Sequence, residues 1–177
     1  MALDRLAVTK HLLRKGKDKQ PQPPGGAQLT YYIFEGVLVG SIDTEMIHVI
    51  AWSGGAGGSK RKDGPDPEVV NNPYLYGRKA VGKAKDPAHV HGGPIPPGRY
   101  QIYPPSEHPT LGLSSFLKPL QRLPNKRGEF FIHKQGRHGS DGCIVPTDES
   151  FAQLMGKLKA SGGGNLHVCQ CMDGAFV

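Results

Sequence analysis

The chain has 177 residues, 37% of them hydrophobic, with 25 glycines and 16 prolines; this composition excludes disorder and a helical bundle and favours one mainly β domain. The net charge of +7 is concentrated in residues 1–20, where six Lys or Arg face two Asp. Aromatic residues do not alternate with the basic ones and the sequence holds no nucleic-acid motif, so we expect no nucleic-acid partner.

The first element is a basic N-terminal segment. Residues 1–15 have the spacing of a short amphipathic helix, and the following KGKDKQPQPPGG is typical of a linker. We therefore predict an arm and linker over residues 1–27 and one folded domain over residues 28–177. The segment lacks the apolar region and cleavage site of a signal peptide, and no stretch approaches the ~20 apolar residues of a membrane span. We expect a protein made in the cytoplasm, without a membrane span, that is exported by another route if it is exported.

The first half of the domain has the pattern of a β-meander. Residues 29–41 and 45–55 predict three strands, with Glu35 and Gly36 in the first hairpin turn. The charged residues 59–92 contain scattered Gly and Pro and little periodicity. This segment is interpreted as a long functional loop or a lid.

The second half of the chain alternates strands with turns. Residues 96–105 and 128–134 predict strands, and residues 105–127 predict a short helical or irregular piece. Thr147 is a candidate N-cap because apolar residues follow it at helical spacing; they are Phe151, Leu154, Met155 and Leu158. Residues 165–171 predict the closing strand.

A loop with three glycines joins the strand that ends at His133 to Cys143. This loop lets the chain fold back, so that His133 could act as the base for the Cys143 thiol, whose ordinary pKa of about 8.5 makes it a weak nucleophile at neutral pH. Ser140, Asp141, Gly142 and Cys143 form the turn at the end of this loop. The main-chain amides of Gly142 and Cys143 would then hold an oxyanion. A cysteine in an apolar context is also commonly an inert core residue, so these residues alone leave catalysis open.

Other candidate sites in the sequence are incomplete. His89 and His91 share one face of an extended segment, but no third ligand completes a metal site, so neither a metal nor a cofactor is predicted. Three cysteines are too few for a disulfide framework. Cys169 and Cys171 are expected on one side of the last strand, where a disulfide between them is disfavoured.

The motif HGSDGCIVP, residues 138–146, resembles the signature of the L,D-transpeptidase (YkuD-type) family, in which a strand-borne His precedes a turn that carries the nucleophilic Cys. VIAWSGG and GPIPPGRYQI, residues 49–55 and 93–102, are similar to two further segments of that family, in the same order. The short spacing from His to Cys, the SDGC turn and the GPIPPGRY segment are most similar to toxins delivered by type VI secretion. The resemblance implies a single-domain L,D-transpeptidase-like β-sandwich or meander with one short helix after the catalytic loop.

The resemblance also implies an antibacterial enzyme that acts on peptidoglycan. Such an enzyme cleaves or exchanges the terminal D-amino acid of stem tetrapeptides through a thioester on Cys143, with His133 as the base. Water as the acceptor makes it an L,D-carboxypeptidase, and an amine makes it an L,D-transpeptidase. The implied partners are peptidoglycan stem peptides, a secretion apparatus and a cognate immunity protein, and the implied place of action is the periplasm of a target bacterium.

Two alternatives to this interpretation stay open. The first is another cysteine peptidase or amidase of the cell wall, although in papain-like enzymes the His follows the Cys in sequence. The second is a non-catalytic peptidoglycan-binding module.

The sequence departs from the family pattern at two positions. Asp141 stands where most members have His, and Val145 stands where many have Arg or Asn. Arg137 or His138 would supply the missing positive charge and bind substrate, unless these are solvent-facing loop residues. Ser140 would either orient the imidazole or close the turn.

Overall fold

The computed structural model describes residues 26–55, 66–82, 90–135 and 140–172. These residues form one sheet and one α-helix, which confirms the prediction of a mainly β domain with a short helix after the glycine-rich loop. Residues 1–25 of the predicted arm lie outside the described residues, so the boundary between arm and domain stays a prediction.

The described sheet has nine strands. In chain order they are β1 (Ala27–Tyr32), β2 (Val37–Ile42), β3 (Glu45–Ser53), β4 (Gly98–Ile102), β5 (Ser106–His108), β6 (Gly112–Pro119), β7 (Phe130–His133), β8 (Ile144–Pro146) and β9 (Gly164–Cys169). A 3-10 turn spans Pro124–Lys126, and the helix α1 spans Asp148–Ala160.

The strands close into a barrel. Their order is β4-β9-β1-β2-β3-β8-β7-β6-β5, and β4 pairs with β6 as well, so that eight strands form a ring and β5 extends it beside β6. Burial alternates along β3, where Ile47, Val49 and Ala51 lie inside. The buried apolar side chains of the strands and of the helix form one hydrophobic core.

The predicted meander is confirmed in β1, β2 and β3, which pair antiparallel in sequence order. Gly36 in the first turn has φ +62, and a Cβ there would lie 2.9 Å from the Ala51 carbonyl oxygen. A glycine is required at this position for both reasons. On its other side β1 pairs in parallel with β9, which joins the first and last strands of the described chain.

The helix α1 follows the predicted pattern. Thr147 occupies the N-cap position, and the apolar residues predicted to face inward are all buried; they are Phe151, Leu154, Met155 and Leu158. Acidic residues lie in the first turn and two lysines in the last, which complements the helix dipole. The Thr147 hydroxyl donates to the Ser150 hydroxyl at 3.3 Å and accepts no hydrogen bond from a backbone N–H of the first turn.

The prediction of a helical or irregular piece over residues 105–127 is wrong, because β5 and β6 lie there. The first part of β6 pairs with β5 and its last part with β4, and Ser114 and Ser115 are both buried at the changeover. Two successive buried polar residues break the period-two pattern from which a strand is recognised.

The described part of the predicted loop, residues 66–82, contains turns and a single bridge from Val81 to Val90. Asn71 ties this segment to the sheet: its side-chain oxygen accepts from the Tyr31 hydroxyl at 2.8 Å and from the Ser53 N–H at 2.7 Å. The loop is therefore fastened to β3 at this point. Among the described residues, no helix is both long and apolar enough to span a membrane.

Candidate active site

Strand register determines where Cys143 and His133 lie. Ile132 in β7 and Ile144 in β8 are parallel register partners, and both are fully buried in the core. Side chains alternate along a strand, so His133, one residue after Ile132, and Cys143, one residue before Ile144, lie on the opposite face. The two residues predicted to form the site thus lie at neighbouring positions, His133 as the last residue of β7 and Cys143 directly before β8.

The His133 ring is held in one orientation. Only 1% of the residue is exposed, and Nδ1 lies 2.6 Å from the Lys134 carbonyl oxygen. A carbonyl accepts but cannot donate, so Nδ1 carries the proton and Nε2 of the neutral ring is the acceptor. Burial lowers the pKa of His133, the Lys134 carbonyl opposes this, and His108 adds to it. The imidazole is therefore neutral near pH 7 and able to take a proton at Nε2.

Cys143 is a partly exposed free thiol. Burial raises the pKa of the thiol, and this is the largest influence on it. Hydrogen bonds from the Phe131 main chain and from Ser140 lower the pKa, the Asp141 charge raises it, and the Arg127 charge lowers it. The resting thiol is thus protonated at neutral pH and needs a base at the moment of attack.

The turn that carries Cys143 is closed by Ser140. The Ser140 hydroxyl accepts from the Cys143 N–H at 2.8 Å and lies 3.4 Å from the Cys143 carbonyl oxygen. Of the two roles that the sequence left open for Ser140, this geometry is that of turn closure. It also occupies the Cys143 N–H, one of the two amides predicted for an oxyanion hole.

The Asp141 carboxylate faces the segment before β4. Its carboxylate accepts from the Gly92 N–H at 2.8 Å and lies 3.6 Å from His91 Nδ1. The residue therefore links the turn to residues 91–92. Arg137 and His138 lie outside the described residues, as does His89, so the proposed roles of Arg137 and His138 stay predictions.

Ser53 is a site residue that the sequence did not identify. It is fully buried at the end of β3, its hydroxyl donates to the Gly142 carbonyl at 2.9 Å, and it accepts from the Ile95 N–H at 2.8 Å. One hydroxyl thus joins β3, the turn and the segment before β4. The small residue in VIAWSGG was part of the family resemblance, but nothing local indicated its partners.

Arg127 is the second residue that the sequence missed. Its guanidinium donates to four carbonyl oxygens: those of Tyr76, Gly93 at 2.7 Å, Pro94 at 2.7 Å and Asp141 at 2.9 Å. It also lies over the Phe130 ring, 5.2 Å from the ring centre. A buried cation thus lies beside the turn that carries Cys143, and it comes from the segment before β7.

A second cysteine and histidine meet on β9. Cys169 Sγ lies 3.6 Å from His167 Nδ1, on the outer face of the strand. Cys171 lies beyond the end of β9 and is buried, so the expectation that both cysteines occupy one side of the last strand is wrong. Across the described residues, no group of three or more His, Cys, Asp or Glu could hold a metal ion.

No family model matches the sequence, and no curated protein matches it. Among solved structures the chain is similar to an L,D-transpeptidase, residues 123–326, from Xylanimonas cellulosilytica DSM 15894, with 15% identity and a TM-score of 0.45. The match covers 92% of this chain and 69% of that one. At such low identity and TM-score the similarity does not decide the function.

Proposed function

We propose that the protein is a cysteine acyl-transfer enzyme of peptidoglycan that cleaves or exchanges the terminal D-amino acid of stem tetrapeptides. The observation that carries the proposal is the placement of Cys143 and His133 on one face of neighbouring strands, with the ring fixed by the Lys134 carbonyl. The class of substrate comes from the resemblance of the SDGC turn and its flanking segments to L,D-transpeptidases.

In the proposed reaction, Cys143 Sγ attacks the carbonyl carbon between diaminopimelate and the terminal D-Ala. His133 Nε2 takes the thiol proton as the S–C bond forms, because the raised thiol pKa and the lowered imidazole pKa disfavour a preformed ion pair. The C–N bond then breaks, and the imidazolium gives its proton to the departing amine. A thioester remains on Cys143.

The thioester has two possible acceptors. Water gives a shortened stem and a free carboxylate, which is L,D-carboxypeptidase activity; an amine gives a new amide, which is L,D-transpeptidation or exchange. Gly142 N–H is the proposed oxyanion donor, since the Cys143 N–H is already bonded to Ser140. Arg137 and His138 are proposed to bind the substrate.

The biological role that we propose is that of an antibacterial toxin. The protein would be made in the cytoplasm, delivered by a type VI secretion apparatus into the periplasm of a competitor, and neutralised in the producing cell by an immunity protein. The GPIPPGRY segment and the short spacing from His to Cys support this role by resemblance. Expression in a test bacterium with and without an added export signal checks it: toxicity is expected only with export.

Incubation with purified tetrapeptide muropeptides, followed by mass spectrometry, tests the reaction. A stem shorter by one alanine residue shows carboxypeptidase activity, and a product that incorporates an added D-amino acid shows exchange. Trapping with a carbapenem-like acylating agent and peptide mapping locates the nucleophile, which should be Cys143. Adducts on Cys169 or Cys171 alone would contradict the proposal, and full biological effect in Cys143→Ala would favour a non-catalytic binding module.

A further inference from the structure

Arg127 lies where three segments of the chain converge. Each Nη atom donates to two carbonyl oxygens, Nη1 to Tyr76 and Pro94 and Nη2 to Gly93 and Asp141. The four Nη hydrogens are therefore all used within the protein. A guanidinium in this state has no Nη hydrogen left for a substrate carboxylate.

The segments joined in this way include the turn that carries the thiol. Asp141 belongs to that turn, and Gly93 and Pro94 precede β4, so one rigid fork sets the distance between them. Without the fork, these carbonyl oxygens would face one another with no donor between them, which is costly for partly buried groups. The Ser53 hydroxyl joins the same two segments from the core side, through Gly142 and Ile95.

Gly142 shows that the turn is built around this side chain. Its φ is +124, and a Cβ there would collide with the Arg127 guanidinium and lie 2.7 Å from the Phe130 ring. Phe130 in turn supports the guanidinium from β7. The residue next to the nucleophile is thus shaped by the approach of Arg127.

We propose that Arg127 is a positioning residue, which holds the Ser140–Cys143 turn against the Gly93–Pro94 segment and so fixes Cys143 relative to His133. The proposal rests on the proposed function and deepens it, because it assigns to this arginine no contact with substrate. Lysine cannot replace it, since one ammonium cannot span four carbonyls in a plane. The positive charge of Arg127 also favours the thiolate of Cys143, whereas the negative charge of Asp141 disfavours it.

The test compares Arg127→Gln and Arg127→Lys with Arg99→Gln, a matched control because Arg99 is an exposed arginine on β4. Loss of positioning should lower kcat by at least about tenfold with a much smaller change in KM. The lysine variant should not recover the rate. A raised KM with unchanged kcat would mean that Arg127 binds substrate and would overturn the proposal.

A second measurement needs no substrate, so it separates this proposal from the proposed function. The rate of Cys143 alkylation by iodoacetamide, followed against pH by peptide mapping, should move to higher pH in Arg127→Gln, which removes the charge that favours the thiolate, and stay unchanged in Arg99→Gln. Asp141→Asn should move it to lower pH. A profile of Arg127→Gln that superposes on that of the wild type, with only a lower Tm, would show a merely structural role.

If neither Arg127 variant folds, the wild-type protein itself provides the test. The Nη hydrogens of a guanidinium held by four carbonyls should give separate, slowly exchanging signals in ¹⁵N nuclear magnetic resonance. A single averaged signal for Arg127, as an exposed arginine gives, would overturn the proposal.

Discussion

The described residues include two cysteine–histidine pairs, and the surroundings of the two pairs differ. Cys169 and His167 lie on one strand with Sγ and Nδ1 3.6 Å apart, and His167 is exposed. His133 ends β7 and Cys143 lies directly before β8, and His133 is buried with Nδ1 bonded to a carbonyl. Cys169 and His167 are in side-chain contact, but their surroundings do not hold the imidazole as those of His133 do.

The two pairs differ in what holds the imidazole ring. The His167 ring is exposed, and no carbonyl among the described residues accepts a hydrogen bond from it. The Lys134 carbonyl, in contrast, fixes the tautomer of His133. Burial raises the pKa of the Cys169 thiol, and the charges of Cys171 and Glu35 raise it further. Around Cys143, by contrast, hydrogen bonds and the Arg127 charge oppose the effect of burial. Only Cys143 and His133 combine an imidazole of fixed orientation with groups that partly support the thiolate.

The largest effects should come from removing Cys143 or His133. Cys143→Ala and His133→Ala should each abolish turnover of muropeptides, by a factor on the order of 10³ or more. The double variant should be hardly slower than either single one, because nucleophile and base act as one unit. Additive losses in the double variant would mean that the two residues act independently and would contradict their assignment as nucleophile and base.

Gly142→Ala should have the next largest effect. A side chain at φ +124 adds strain of about 1–3 kcal/mol and pushes against Arg127, so both stability and kcat should fall. Thermal unfolding should show a Tm lower by about 2–4 °C for each kcal/mol. Gly156→Ala is the matched control: no neighbouring atom would meet its Cβ, and alanine in a helix should stabilise by about 0.5–1 kcal/mol.

The pH dependence of kcat/KM sharpens the description of the base. Because burial lowers the pKa of His133, the ring stays neutral to a lower pH than an exposed histidine and remains able to accept a proton there. The acid limb of the profile should therefore have its midpoint below about 6.5, the ordinary histidine pKa. A midpoint at or above that value would show that substrate or loop charges outweigh burial.

The smallest effects should come from the exposed pair. Cys169→Ser and His167→Ala should change the muropeptide rate by no more than about threefold, since neither lies near the proposed nucleophile and surface changes are usually mild. The assay is the same as for Cys143→Ala, run side by side. A loss comparable to that of Cys143→Ala would reverse the assignment of the two pairs.

Local pattern was sufficient for much of the fold. The hairpin at Glu35 and Gly36 and the helix after Thr147 carry signals within a few residues of sequence, and both were predicted. The strand β6 was not, because its change of partner at Ser114 and Ser115 removes the alternation. The strand β8, with three residues, is too short for any periodicity.

The candidate site was predictable only in part. Cys143 and His133 stand out because a glycine-rich loop separates them, and the Ser140–Cys143 turn follows from the same motif. Arg127 and Ser53 act through main-chain carbonyls and amides far away in sequence, and no spacing encodes such contacts. The cation predicted in the loop before the cysteine, Arg137 or His138, lies outside the described residues and stays a prediction.

The position of β9 has a consequence for how the chain folds. This strand lies between β4 and β1. Each of these two strands therefore has one unpaired edge until residues 164–169 have left the ribosome. Pairing of Ala27 with Gly164 is a contact of very high sequence separation, which slows folding. The barrel therefore cannot close during synthesis of its earlier strands, and the face that carries Cys143 should acquire its final geometry only after the last strand has been added.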